Sequence, residues 1–407
     1  MKYLLVPAQR FWKGLPTTFL SMDSDSLGRL PRVTLQRLGL AMSFLVLLNF
    51  FLSFQDVVKV EIRLRRREHT WLTYHRVNDS GDLKSYNKTS SNNRSRDALR
   101  PKYHTVESLM APIDVSTWKV NSTEVQHWRR YITQYFDPEK DFTVLKSQYK
   151  VGDTVKYEVS VRDRCNITEE LHRNMPEVNP LAGKRFRKCS VVGNSGILLN
   201  SGCGRDIDSA DFVIRCNLAQ TLPYVHDVGI KHSLTTMNPS VMSHDYRYLD
   251  QNETVKARFV DRLRQLGDSI FYQFAFVNKN GRDYMQWTNE IILNESLPVR
   301  SVFPPRNCNG LIRKVWSRTR EFQFKRPSSG MYMITVALTI CDEIHVYGYF
   351  PFKEDHRGNR LRYHYYDHRR YATGGLHAMP EEFRALRMLH DRGVLRLHND
   401  RCRHLPD

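Results

Sequence analysis

The amino-acid sequence predicts an α/β fold, a mostly parallel central sheet flanked by helices, preceded by a single transmembrane helix and a stem. Three observations predict it. From about Val120 onward, short apolar runs alternate with stretches of helical periodicity, the pattern of strands joined by helical crossovers. Residues 38–54 form an uncharged run of 17 residues in which Asn49 is the only strongly polar side chain. Between these regions, residues 80–96 have almost no apolar side chains; they cannot build a core and read as a tether.

The elements follow in order. Residues 189–192 read as a strand that ends in the turn Gly193-Asn194-Ser195-Gly196, and residues 212–216 as a second strand. Ala257, Val260, Leu263 and Leu266 recur at helical spacing. Residues 269–277 look strand-like and 285–293 helix-like. Residues 329–341 read as a buried helix running into a strand over 344–350. Pro380 opens a helix that stops at Gly393, with Pro in the first turn and Gly just past the end. Residues 394–397 form a last strand. Ligands of such sheets bind beyond the carboxyl ends of the strands.

Composition bounds the chemistry. Hydrophobic residues make up 41% of the 407, which supports a real core and excludes a mainly disordered chain. Lys and Arg number 62 against 43 Asp and Glu, a net charge of +19 that calls for a polyanion or a membrane surface as partner. Nucleic acid is the default partner of so basic a chain.

At 1.5 Å per residue the 38–54 run spans roughly 26 Å, the short end for a membrane helix and suited to the thin membranes of the early secretory pathway. It lies too far from Met1 for a plain signal peptide, although Met22 is an alternative start. The competing reading is a buried core helix, but the flanking sequence has nothing to bury it. Charge counting opposes Arg29, Arg32 and Arg37 to Lys59, Arg63, Arg65, Arg66 and Arg67, and alone would put the C-terminal side inside. Seven glycosylation sequons argue the reverse, at Asn78, Asn87, Asn93, Asn121, Asn166, Asn252 and Asn294, all on one side of the run. The seven cysteines are scattered, with no CxxC pair, which disfavours zinc and fits long-range bridges in an oxidising lumen with at least one thiol left over. The expected organisation is therefore a type II protein: cytoplasmic tail 1–37, signal-anchor 38–54, stem 55–120 and lumenal domain 121–407.

Four constellations carry chemistry. In Gly193–Gly196 the glycines allow close backbone approach and Asn194 offers a donor and an acceptor, though a glycine-rich turn after a strand is most often structural. It is neither GxGxxG nor a P-loop. Arg326-Pro-Ser-Ser-Gly330 precedes the long helix; Ser328 or Ser329 is a good helix cap, and the same helix end can hold an anion. His364-Tyr-Tyr-Asp367 and His377, with Glu382 five residues on, supply imidazoles that can act near neutral pH. Asp206-Ile-Asp208 could bind a divalent metal, but a capping or surface role is the better reading.

These segments resemble the sialyl motifs of animal sialyltransferases. Residues 189–204 with 212–217 resemble the large motif, 326–330 with 347–352 the small one, 364–367 the third, and His377 with Glu382 the very small one. The resemblance covers about residue 120 to the C-terminus. It implies an inverting enzyme of glycosyltransferase-A-like variant fold in the Golgi membrane, with CMP-sialic acid as donor and no metal or other cofactor. It places Asn194 and Asn217 on the nucleotide and phosphate, and Ser328, Ser329 and Gly330 on the donor carboxylate. Phe350, Pro351 and Phe352, with Tyr363 and His364, would line the cytidine and phosphate side. His377 would be the catalytic base, with His364 stabilising the departing phosphate. It pairs Cys189 with Cys341 and Cys203 with Cys402. Phe350 stands where the α2,8 branch usually has Trp, Asp206 where it has Glu, and Cys165 and Cys308 look like extra residues and a candidate third bridge.

The Arg-Cys-Asn and His-Tyr-Tyr-Asp variants resemble the α2,8 branch. Lys140 to Lys146 and Gly152-Asp153 resemble its polysialyltransferases. Arg313, Lys314, Arg318, Arg320, Lys325 and Arg326 are six cations offset only by Glu321. They read either as a solvated helix face or as a track for a growing polyanionic product. The partners implied are CMP-sialic acid and sialylated glycoprotein or glycolipid acceptors, with no nucleic acid and with self-association left open. Mono- or oligosialyl transfer is the alternative to polymer synthesis, and a catalytically silent sialoglycan-binding protein the alternative to an enzyme.

Overall fold

A computed structural model describes residues 103, 105–247, 249, 251–319, 326–369, 371 and 377–402. The chain divides into two compact units, Met1–Ser91 and Asn92–Asp407, and every described residue belongs to the second. The expected anchor at 38–54 lies outside the described residues; among those described, no helix is long and apolar enough to cross a membrane. The sequons at Asn78, Asn87 and Asn93 lie outside them too.

An antiparallel hairpin joins β1 (Thr154–Lys156) to β2 (Arg164–Asn166). The strands that follow are β3 (Phe186–Val192), β4 (Phe212–Arg215), β5 (Leu234–Met237), β6 (Ile270–Gln273), β7 (Arg300–Val302), β8 (Cys341–Tyr347) and β9 (Arg396–His398). These seven form one parallel sheet in the order β7-β6-β5-β4-β3-β8-β9, separate from the hairpin. The central strands are buried at nearly every position because helices cover both faces. The helix Ser329–Ile340 is apolar all round; Met331 through Ile340 are all buried against β3, β8 and the helix Ser122–Thr133. Trp316 donates from Nε1 to Thr335 Oγ1 (2.9 Å), so even its one polar atom is satisfied within this core.

Several expected boundaries shift. β6 stops at Gln273, and residues 274–277 are instead a buried loop whose Phe276 and Val277 carbonyls accept from Glu158 and Val159 amides. Apolar content there marks burial, not strand. Ala257 is exposed; the helix Glu253–Arg264 buries Phe259, Val260 and Leu263. β8 ends at Tyr347 because Gly348 turns to φ 68°. The last strand begins at Arg396, since the Val394 amide closes the preceding helix on Leu389 O. β5, β7, the hairpin and the helix Cys308–Ser317 had no clear signature in the sequence. The packed body also begins before residue 121: Tyr103, Leu109 and Ile113 are buried, and Arg387 holds the carbonyls of Leu109 (2.7 Å) and Ala111 (2.6 Å).

Disulfides join Cys189 to Cys341 and Cys203 to Cys402. Cys165, Cys216 and Cys308 are buried free thiols, so Cys165 and Cys308 form no third bridge. Cys308 instead approaches the Glu158 carboxylate (3.8 Å) at the start of its helix. The four described sequon asparagines, Asn121, Asn166, Asn252 and Asn294, are all exposed. Asn121 and Asn252 cap helices through Oδ1, which leaves Nδ2, the atom a glycan would occupy, free of that bond.

Candidate active site

The carboxyl ends of β3, β4, β5 and β8 converge with the segments that follow them. Gly193 donates to Tyr347 O (2.8 Å) and Ser195 to Gly348 O (3.0 Å), which locks the turns after β3 and β8 together. A Cβ on Gly193 would sit 2.5 Å from Gly348 O, and one on Gly196 2.4 Å from Arg362 O, so glycine is required for this approach. Asn194 O accepts from the Tyr365 amide (2.9 Å), and Asn194 Nδ2 donates to Cys216 O (3.2 Å). Its Oδ1 is the remaining polar atom. Asn217, at φ 59°, is anchored through its amide to Thr236 Oγ1 (3.0 Å), and its Oδ1 is buried with no partner among the described residues. At these strand ends a ligand could complete such an orphaned acceptor.

The helix Ser329–Ile340 points its N-terminus at the same place. Ser328 caps it, its Oγ accepting from Met331 N (3.1 Å). Glu382 then accepts from both Ser328 N (2.8 Å) and Ser328 Oγ (2.6 Å). Asn238, just past β5, donates to Ser329 Oγ (3.0 Å). Tyr349 donates to Gly330 O (3.1 Å) and lies 3.5 Å from Cys216 Sγ, tying the β8 turn to the β4 turn.

Burial pushes the Glu382 carboxyl up to about 7, against the two Ser328 bonds that pull it down. The folded carboxyl therefore keeps its proton up to about pH 7, whereas the unfolded one releases it near 4.5. Between those values the native state binds more protons, so stability falls as pH rises, by about 3 kcal/mol in all. Glu382→Gln should flatten that slope: thermal midpoints measured from pH 4.5 to 8 should decline in the wild type and decline less in the variant. Parallel curves would refute the assignment.

The two histidines are held differently. His377 Nδ1 lies 3.0 Å from Arg326 O. A carbonyl can only accept, so Nδ1 carries the proton and Nε2 is left as a basic nitrogen. Burial lowers its pKa below the ordinary imidazole value, with the nearby Arg326 charge acting in the same direction and the carbonyl bond opposing. His364 Nδ1 bonds Asp367 Oδ2 (2.7 Å), and its ring stacks on Tyr366 and meets Tyr363 at a tilt, with centroids at 5.2 and 4.4 Å. Asp367 also pairs with Arg369 Nε (3.2 Å), whose other end meets Asp245.

Other expected residues are placed elsewhere. Phe350 and Phe352 are 3% and 8% exposed, and both pack on Phe383 at 5.4 and 5.5 Å. Their rings pack into the core beneath the site. Pro351 between them is half-buried. Asp208 is structural, accepting from Ile230 N (2.8 Å), Lys231 N (2.9 Å) and Arg215 Nη2 (3.4 Å). Among the described residues no group of three or more His, Cys, Asp or Glu is placed to hold a metal. Arg313, Lys314 and Arg318 are exposed on or just after the helix Cys308–Ser317; Arg320 and Lys325 lie outside the described residues. Glu382's bonds to Ser328, and the parts played by Asn238, Tyr349 and Asp367, were not foreseen from the sequence. A cavity of about 370 Å³ opens at the opposite ends of the strands, beside Phe186, Phe212 and Arg300, and plays no part in this cluster.

A parallel sheet whose strand ends gather asparagines, a capped helix terminus and two oriented imidazoles is suited to holding an anionic ligand. Residues 132–394 match the family model described as glycosyltransferase family 29 (sialyltransferase). An alpha-N-acetylneuraminide alpha-2,8-sialyltransferase of Xenopus tropicalis is 34% identical over 287 residues, 70% of this chain and 81% of that protein. The chain belongs to family 29 and is a sialyltransferase. Enzymes of this family use CMP-sialic acid and need no metal. Two crystal structures of a mammalian sialyltransferase, one in complex with Gal-beta-1-3GalNAc-ortho-nitrophenol, also match. Each shares 18% identity over 74% of this chain and 93% of theirs, with TM-scores of 0.37 and 0.38, and the family membership does not rest on them.

Proposed function

We propose that this enzyme transfers sialic acid from CMP-sialic acid to the 8-hydroxyl of a terminal sialic acid on a glycoprotein or glycolipid. The protein would be a single-pass type II protein of the Golgi membrane with the domain 121–407 in the lumen. The 34% identity to an alpha-2,8-sialyltransferase supports the linkage. The observation that carries the mechanism is His377, with Nδ1 committed to Arg326 O and Nε2 without a partner among the described residues. Nε2 takes the acceptor hydroxyl proton as the oxygen bonds the anomeric carbon, and the bond from that carbon to the CMP phosphate breaks with inversion. His364, oriented by Asp367, faces the charge growing on the departing phosphate. Asn194 and Asn217 contact the nucleotide and phosphate, and Ser328, Ser329 and Gly330 the donor carboxylate, at the helix end.

Polymer synthesis is favoured by the exposed cations Arg313, Lys314 and Arg318, which offer a surface to a polyanionic product. The test is to incubate the full chain in detergent with CMP-sialic acid and sialylated N-glycan, O-glycan and ganglioside acceptors, reading linkage and chain length by mass spectrometry. Alpha-2,8-linked products are expected, and products of any other linkage would refute the reading. Arg313→Gln, Lys314→Gln and Arg318→Gln together should shorten the products; unchanged lengths would refute the track.

A further inference from the structure

The chain after β4 has an unusual set of partners. Asn217 and Leu218 both lie in the left-handed region, at φ 59° and 52°. That region is costly for any residue but glycine, and Leu218 lacks the short polar side chain that helps asparagine tolerate it. The surroundings must therefore impose the conformation. The amides of Asn217 and Leu218 donate to Thr236 Oγ1 (3.0 Å) and Thr236 O (2.9 Å). On the other side the carbonyls are held by side chains. Cys216 O accepts from Asn194 Nδ2, and Gln220 O from the Tyr365 hydroxyl (2.7 Å). Of the carbonyls between, Leu218 O and Ala219 O both go to Arg262, through Nε (3.2 Å) and Nη2.

Arg262 projects from the helix Glu253–Arg264 and is 4% exposed. Its remaining bond is to the Gln265 side-chain oxygen (3.2 Å), so its partners are two carbonyls and an amide, not a carboxylate. Burying a cation without a counter-ion is expensive, and an apolar side chain would fill this position without that cost. What only arginine supplies here is a rigid fork that spans two adjacent carbonyls.

We infer that Arg262 is a positioning residue of the donor site: by gripping Leu218 O and Ala219 O it holds the left-handed turn that fixes where the Asn217 side chain lies. This rests on the reading of Asn217 as a contact to CMP-sialic acid. Arg262 does not itself touch the donor.

A double-mutant cycle on the full chain separates the two claims. Arg262→Lys keeps the charge and removes the fork, and Asn217→Ala removes the side chain that the fork is inferred to place. Each single variant should raise KM for CMP-sialic acid about tenfold, the worth of one good hydrogen bond, with kcat within about twofold. The double variant should be no worse than Asn217→Ala alone by more than about twofold, because Arg262 acts through Asn217. If Asn217→Ala leaves KM unchanged, the donor-site reading fails and this inference with it. If Asn217→Ala raises KM while Arg262→Lys lowers only the thermal midpoint, or if the two effects multiply in the double variant, the positioning role is overturned and the donor-site reading stands. Arg262→Gln, which can still donate to one carbonyl, replaces the lysine variant in the cycle if that is recovered unfolded. If neither variant folds, Arg262 is purely structural and the inference falls.

Discussion

His377→Ala should lower kcat by about 10²- to 10⁴-fold, the range of a lost general base, while leaving CMP affinity nearly unchanged. A sugar hydroxyl is a poor nucleophile until its proton is taken, so the loss falls on the chemical step. The geometry makes this specific. His377 Nδ1 is spent on Arg326 O, so only Nε2 can accept a proton, and the ring cannot exchange the two roles without breaking that bond. Burial holds the imidazole below its ordinary pKa, so its neutral form persists to lower pH than in a free side chain. The acid limb of kcat/KM in the wild type should therefore lie below the ordinary value near 6.5. CMP affinity, measured by calorimetry, should survive because Asn194 and Asn217, the proposed nucleotide contacts, are held by Cys216 O and Thr236 and not by His377. Near-normal turnover in the variant would end the assignment of His377 as base.

The sequence revealed the parts of this molecule whose local pattern and tertiary role coincide. The second half of β3, from Cys189 to Val192, and the helix Ser329–Ile340 from Met331 onward are buried at every position, so their runs are visible without a partner. The Gly193 turn was legible for the same reason: glycine is required where two backbones meet at Gly348. β5 reads Leu-Thr-Thr-Met, and its buried Thr236 finds its partners across the sheet, holding Asn217 through Oγ1 and Leu218 through its carbonyl. Nothing local announces that. An aromatic pair such as Phe350 and Phe352 beside a motif looks the same in sequence whether it faces ligand or core, and its packing on Phe383, some thirty residues on, is visible only in the fold. Glu382 was visible as a motif residue, but its bonds to Ser328 depend on two segments 54 residues apart meeting at one helix end. Arg262 shows the limit most clearly, since an arginine in an amphipathic helix is expected to face solvent.

Removing the Cys189–Cys341 bridge should cost about 2–5 kcal/mol of stability and leave donor binding by the folded protein nearly intact. The bridge closes a sequence separation of 152 residues, and the other closes 199. The chain-entropy account assigns each about 5 kcal/mol and distinguishes them by only about 0.2. Their surroundings distinguish them further. Cys402 lies just past β9, the edge strand of the sheet, so losing its bond loosens a segment outside the main core. Cys189 and Cys341 are fully buried and join β3 to the start of β8, the two strands that underlie the Gly193 and Gly348 turns. Opening that bond relieves the unfolded chain of a long closed loop and leaves a packing defect in the main core. Yet the stretch from Cys341 to Tyr347 puts about 20 Å of paired strand between the bridge and the Gly348 turn. The β3–β8 ladder and the Gly193–Tyr347 bond remain to hold the turns in register. Cys189→Ala with Cys341→Ala should therefore lower the thermal midpoint by about 5–15 °C while KM for CMP-sialic acid, measured well below that midpoint, moves less than about twofold. An unchanged midpoint would show that the strand pairing alone fixes these ends, and a large rise in KM would show that the bridge shapes the donor site directly.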